Sequence, residues 1–189
     1  MGLNCNSFLI EIKIRNESEI AMNIFFLHRN LRKCVRYYID QHTYKMILET
    51  CQLLCCAIWM TTPENPPPYK KTHWNHPAAI WARASKENWL WLQKLGLTIC
   101  KEYTYRYDKI HKTEAIIASL KCPNLPDKKF TDPPQMMPDE YKHEDVITAY
   151  RNFYILGKSH LHFHKSRHAW KRRKIPSFIL KAFPKYANM

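Results

Sequence analysis

Asp40-Gln41-His42-Thr43-Tyr44-Lys45-Met46-Ile47-Leu48-Glu49-Thr50-Cys51-Gln52-Leu53-Leu54 decides the fold, because it reads as a helix with two unlike faces. Ile39, Thr43, Met46, Ile47, Thr50, Leu53, Leu54 and Ala57 recur at helical spacing and make a broad apolar side. Beside it runs a polar stripe of Tyr38, His42, Lys45, Glu49 and Gln52. At about 100° per residue His42 and Glu49 are nearly eclipsed, with Lys45 between them. A base, a cation and a carboxylate along the edge of a buried face are costly unless they pair or are used. The plain alternative is a Lys45–Glu49 helical ion pair, worth roughly 0.2–0.5 kcal/mol.

Outward from this helix the chain reads as mostly helical. Leu31 to Tyr38 is a short basic helix, and Asp40 is placed to cap the central one, which runs to about Met60. A proline-rich loop from Thr62 to Lys71 leads to His73-Trp74-Asn75-His76-Pro77, where Pro77 suits a first helical turn and His76 a cap. Ala78–Ala84 is helical. Ser85 then caps a long helix to about Tyr107, with Trp89, Leu92, Leu95, Ile99 and Tyr103 facing inward. Helices follow over 111–120 and 143–154, separated by an irregular crossover with five prolines between Cys122 and Pro138. Ser7 to Ile14 alternates polar and apolar residues, as a short strand or ordered arm does. No internal repeat is present.

Composition narrows the classes. A chain of 189 residues with 46% apolar residues folds around one core. Its three glycines exclude a phosphate-cradling loop and argue against a β-sandwich or Rossmann-type fold. The run from Met46 to Met60 is broken by Glu49 and Gln52 and is too short to span a bilayer. Seven cysteines, three of them inside the central helix, read as buried thiols in a reducing, intracellular setting. The net charge of +14 calls for a polyanionic partner, most often nucleic acid. From Gly157 onward no acidic residue occurs, and four histidines are mixed among nine Lys and Arg residues. His160, His162 and His164 alternate as a metal-binding strand face does, but no thiol or carboxylate accompanies them, and neither metal nor cofactor is expected.

Several polar residues are candidates to line a cleft: His42, Lys45, Glu49, His73, His76, Arg83, Glu102, Tyr105 and Arg106. Glu102 with Arg106 also reads as an i,i+4 surface pair, and Arg83 as a partner of Glu87.

From Met22 onward the chain resembles a mostly uncharacterised family of small proteins in phages and large DNA viruses. The likeness rests on Met22–Leu27, Asp40-Gln41-His42, Lys45–Thr50, His76-Pro77, Trp81-Ala82-Arg83, Glu102–Tyr107, Met137–Tyr141 and Ala149-Tyr150-Arg151. An apolar opening, then Asp-Gln-His, then Glu seven residues after the His, is also similar to the phage pyrimidine-dimer DNA glycosylase (endonuclease V) family. That resemblance implies a compact all-helical base-excision enzyme in which an N-terminal amine attacks the sugar C1′ and a helix-borne Glu assists β-elimination. Glu49 takes the place of that Glu and His42 is its neighbour, while Leu48 and Gln52 depart from the arginines that accompany it. Met22 followed by an apolar run also reads as a second possible start of translation.

The expectation is therefore an all-α protein: a 1–21 extension, a single compact helical domain over 22–156 and a basic arm over 157–189. Its expected work is DNA glycosylase and abasic-site lyase chemistry on damaged double-stranded DNA. Glu49, His42 and Lys45 are the candidate catalytic residues, and Arg83, Arg106, Lys171, Arg172, Arg173 and Lys174 the candidate DNA contacts. The rivals are a non-catalytic viral nucleic-acid-binding protein and a protein-interaction module whose charge serves solubility.

Overall fold

The computed structural model describes residues 23–164 and 167–188. The 1–21 extension, with its expected strand over 7–14, lies outside the described residues, which carry seven α-helices and one two-stranded hairpin. α1 (Leu31–Arg36) begins at Asn30, whose side-chain oxygen accepts from Lys33 N–H at 3.1 Å. α2 (Asp40–Thr61) is the central helix, and its apolar stripe from Thr43 to Ile58 is buried as the period requires. Asp40 is not its cap. That place falls to Ile39, and the Asp40 carboxylate instead holds the C-terminal chain and Arg106.

α3 (Pro77–Ala84) starts with proline, and His76 Nδ1 accepts from Ala78 N–H at 3.2 Å. α4 (Lys86–Tyr107) is capped by Ser85, whose Oγ accepts from Asn88 N–H at 3.1 Å. It ends at Asp108 in the left-handed region (φ 53°). α2 and α4 run antiparallel: Trp89 Nε1 near the start of α4 donates to Leu54 O, while Arg106 at its end reaches Asp40. A Cβ on Gly96 would lie 2.9 Å from Thr50 Cγ2, so only glycine permits this close approach of α4 to α2.

α5 (Glu114–Ser119) is shorter than the 111–120 helix expected from periodicity, because residues before Thr113 form a turn. The crossover from 120 to 138 carries no helix or strand. α6 (Val146–Asn152) continues into a π-turn over Phe153–Gly157. β1 (Phe163–His164) pairs antiparallel with β2 (Arg167–His168), and α7 (Ser177–Ala182) follows. Residues 23–27 form neither helix nor strand and are buried, Phe25 stacking on His42 of α2.

The C-terminal segment is not a detached arm. Trp170 is fully buried in the same core as α2 and α4, and its Nε1 donates to Tyr37 O at 2.9 Å. Ile179 is buried with it, and Phe178 packs edge-on against Tyr37 at 5.5 Å. Charge dominates the composition of this stretch, but its spaced apolar residues decide where it goes. Trp170→Ala is expected to cost about 3–5 kcal/mol, through lost burial and an orphaned Tyr37 carbonyl, read as a lowered urea midpoint. The six described cysteines are unpaired, five of them buried. No described helix is long and apolar enough to cross a membrane.

Candidate active site at Glu49

Glu49 sits at the solvent edge of the central helix, half buried. Its Oε2 accepts the main-chain N–H of Asn23 at 3.2 Å. Asn23 is anchored there: its side-chain Nδ2 donates to Met136 O at 2.8 Å, and its Oδ1 accepts from Ile24 N–H at 2.8 Å. Glu49 also lines a cleft of about 480 Å³. Lys45, Leu48 and Gln52 of α2 form one wall, and His73 with the His111-Lys112-Thr113 turn forms the other.

Burial pushes the Glu49 carboxyl up to about 7, against the opposing pull of the Asn23 N–H and the charges of Lys45 and Lys158. A carboxyl poised there changes protonation near neutral pH, the range in which general acid–base groups work. Lys45 and Glu49 do not come within ion-pair distance, so the simple helical pair is not formed. The Lys45 side chain is exposed. His73, on the opposite wall, is held at φ 47°, a strained conformation for a non-glycine residue, with its Nδ1 2.6 Å from Thr72 Oγ1.

Comparison with models of protein families, with curated proteins and with solved structures finds no match.

The remaining expected site residues divide sharply. His42 is buried and does not reach the cleft: Phe25 stacks on its ring at 4.1 Å, and its Nδ1 lies 2.6 Å from Tyr154 Oη. Burial, with the nearby charge of Lys158, holds its imidazole well below the ordinary value and keeps it neutral. Phe25 covers its ring, a contact that spacing along α2 does not disclose.

Arg106, expected at a DNA surface, is fully buried. Its Nε donates to Glu102 Oε1 at 2.8 Å, and its Nη1 to Tyr38 O at 2.8 Å and Asp40 Oδ1 at 3.1 Å. Its Nη2 donates to Arg36 O at 3.2 Å. The Glu102–Arg106 pair is thus internal. Arg173 completes it, with two 2.8 Å hydrogen bonds to the Glu102 carboxylate and its guanidinium over the Tyr105 ring at 3.8 Å. Burial alone would raise Glu102, but the hydrogen bonds from Arg173 and Arg106 outweigh it and hold the carboxyl below its ordinary value.

Arg172 binds Asp108 and the Tyr105 carbonyl. Lys171 N–H donates to the Asp40 carboxylate, and its ammonium lies 5.0 Å from the Tyr107 ring centre. These tail residues fasten the C-terminal segment to α2 and α4. Arg83 is partly buried and donates to Trp74 O at 2.7 Å rather than to Glu87. Lys174 is exposed.

His111 and Lys112 were not among the candidates. They lie far from Glu49 along the chain, and only the docking of the turn before α5 brings them to it. His162 is buried among aromatic rings with neither ring nitrogen hydrogen-bonded, and burial pushes it down to about 4. Among the described residues no group of three or more His, Cys, Asp or Glu is placed to hold a metal.

Proposed function

We propose that this protein is a DNA glycosylase and abasic-site lyase that works through a Schiff base at the Glu49 cleft. The observation that carries the reading is the 3.2 Å contact between the main-chain nitrogen of residue 23 and the Glu49 carboxylate. In a chain that begins at Asn23 that nitrogen is a primary amine. The resemblance to the endonuclease V family implies this pairing of amine and carboxylate; Met22-Asn23 is poorly suited to simple methionine removal, so the amine requires a chain processed to begin at Asn23. Lys45, one helical turn from Glu49, and Lys112 are the side-chain amines lining the cleft.

The chemistry follows from the two groups. The neutral amine adds to C1′ of the opened abasic sugar, and loss of water leaves an imine. The imine acidifies the C2′ proton, which a carboxylate takes as the 3′ phosphate departs by β-elimination. Glu49, titrating near neutrality, serves as proton donor in the first stage and acceptor in the second. The cations around it, Lys45 and Lys112, suit an anionic backbone, and no carboxylate other than Glu49 lines the cleft.

A duplex with one abasic site tests this. The form beginning at Asn23 is expected to nick it at least about a hundredfold faster than the form beginning at Met1, because only the former carries the amine. Equal rates from the two forms would remove residue 23 from the mechanism. No nicking by either, with salt-sensitive DNA binding retained, would favour the non-catalytic binding protein.

A further inference from the structure

A second cleft lies away from Glu49. It measures about 990 Å³ and runs between α1 and α4, sharing no lining residue with the Glu49 cleft. Arg32 and Arg36 stand on the α1 side and Lys94 and Lys101 on the α4 side, where Leu90 and Leu97 interleave with the lysines along one stripe of the helix. All four cations are exposed. Their side chains make no ion pair, hydrogen bond or ring contact among the described residues, unlike Arg106, Arg172 and Arg173. The one carboxylate lining the groove, Glu102, is already held by two arginines.

We propose that this groove binds a single strand of nucleic acid, with phosphates on the cations of its two sides and bases against the leucines interleaved with the α4 lysines. From Leu90 to Lys101 the wall is about 16 Å long, room for roughly four nucleotides at about 3.4 Å per step. Cations on both sides match an anion that repeats along the whole ligand, whereas a peptide presents charge only at its acidic side chains. Leucines set between the lysines favour an unpaired strand, because a duplex keeps its base faces inside and would meet only the cations. The groove is thus separate from the Glu49 chemistry, and the two readings stand or fall independently.

The test uses the full chain and a fluorescent oligothymidylate of about 12 nucleotides, followed by anisotropy across a salt series. The Lys94→Glu, Lys101→Glu double variant is expected to bind about thirtyfold more weakly, with the salt slope reduced by about 1.4. Moving the same charge change to Lys181 and Lys185 is expected to cost less than about threefold, which separates this groove from net charge. Circular dichroism melts check that each variant is folded. The proposal is overturned if the groove variant binds within about twofold of wild type, or if the control variant loses as much affinity. It is also overturned if an oligoglutamate competes as tightly, or if a duplex of equal length binds better than the single strand. Loss of nicking in Glu49→Gln with oligothymidylate binding unchanged would bear on the enzyme reading alone.

Discussion

Glu49→Gln is expected to lower nicking of an abasic duplex by about 10²–10⁴-fold while making the protein more stable at alkaline pH. The gain in stability follows from the sign of the linkage. The folded-state value of Glu49 is raised from 4.5 to about 7, so the native state holds this proton more tightly than the unfolded chain does. That advantage is fully present below the unfolded value and is lost as pH rises through about 7, where the native state must bury an ionised carboxylate. The full shift corresponds to about 3 kcal/mol, and solvent screening at this half-exposed edge reduces it to roughly 1–2 kcal/mol. Glutamine removes the charge and keeps an oxygen for the Asn23 N–H, now 3.2 Å from Oε2. The variant should therefore melt about 3–6 °C above wild type at about pH 8 and close to it near pH 4. Thermal unfolding at the two pH values checks this. Equal melting temperatures at both would show that Glu49 is not held against its ionised form.

Arg106→Met is expected to cost about 3–5 kcal/mol, the second large effect. Its guanidinium is fully buried and donates to Glu102, Tyr38 O, Asp40 and Arg36 O. Methionine fills much of the volume but leaves two carbonyls unpaired and the Glu102 carboxylate with Arg173 alone. Lysine does not rescue, because a single ammonium cannot reproduce the planar fork. Glu102 adds a pH signature: its folded value is depressed, so its stabilisation is present above the unfolded value and lost as pH falls through the lower folded one. Urea unfolding of the variant at neutral pH, set against wild type, measures the loss. A change below about 1 kcal/mol would mean the network is replaceable, and a folded variant that had lost only DNA affinity would restore Arg106 to the surface role.

These two residues mark the boundary of what the chain discloses as a string. Apolar periodicity placed α2 and α4, and local chemistry placed their neighbours: Pro77 with His76 starts α3, and Ser85 starts α4. Each of those signals acts within a few residues. Glu102 and Arg106 also stand at a local spacing, but spacing is silent about burial, so an internal pair reads like a surface one. The tail cations look free because their partners, Asp40, Glu102 and Asp108, lie more than sixty residues earlier.

The candidate site divides the same way. Glu49 and Lys45 share a stripe that periodicity reveals, and both line the cleft. His42 shares the stripe but is covered by Phe25, a contact set by where the 23–27 segment lies. His73 was among the candidates only as one of several polar residues able to line a cleft, and His111 and Lys112 were not among them.

Borohydride trapping on an abasic duplex tests the central claim most directly, because it reduces an imine to a stable bond and preserves the residue that formed it. The form beginning at Asn23 should give a covalent protein–DNA adduct, and peptide mapping should place the link on the α-nitrogen of residue 23, with the yield falling in Glu49→Gln. An adduct on a lysine outside the Glu49 cleft, or none from either form while both bind DNA, would contradict Schiff-base chemistry at Glu49.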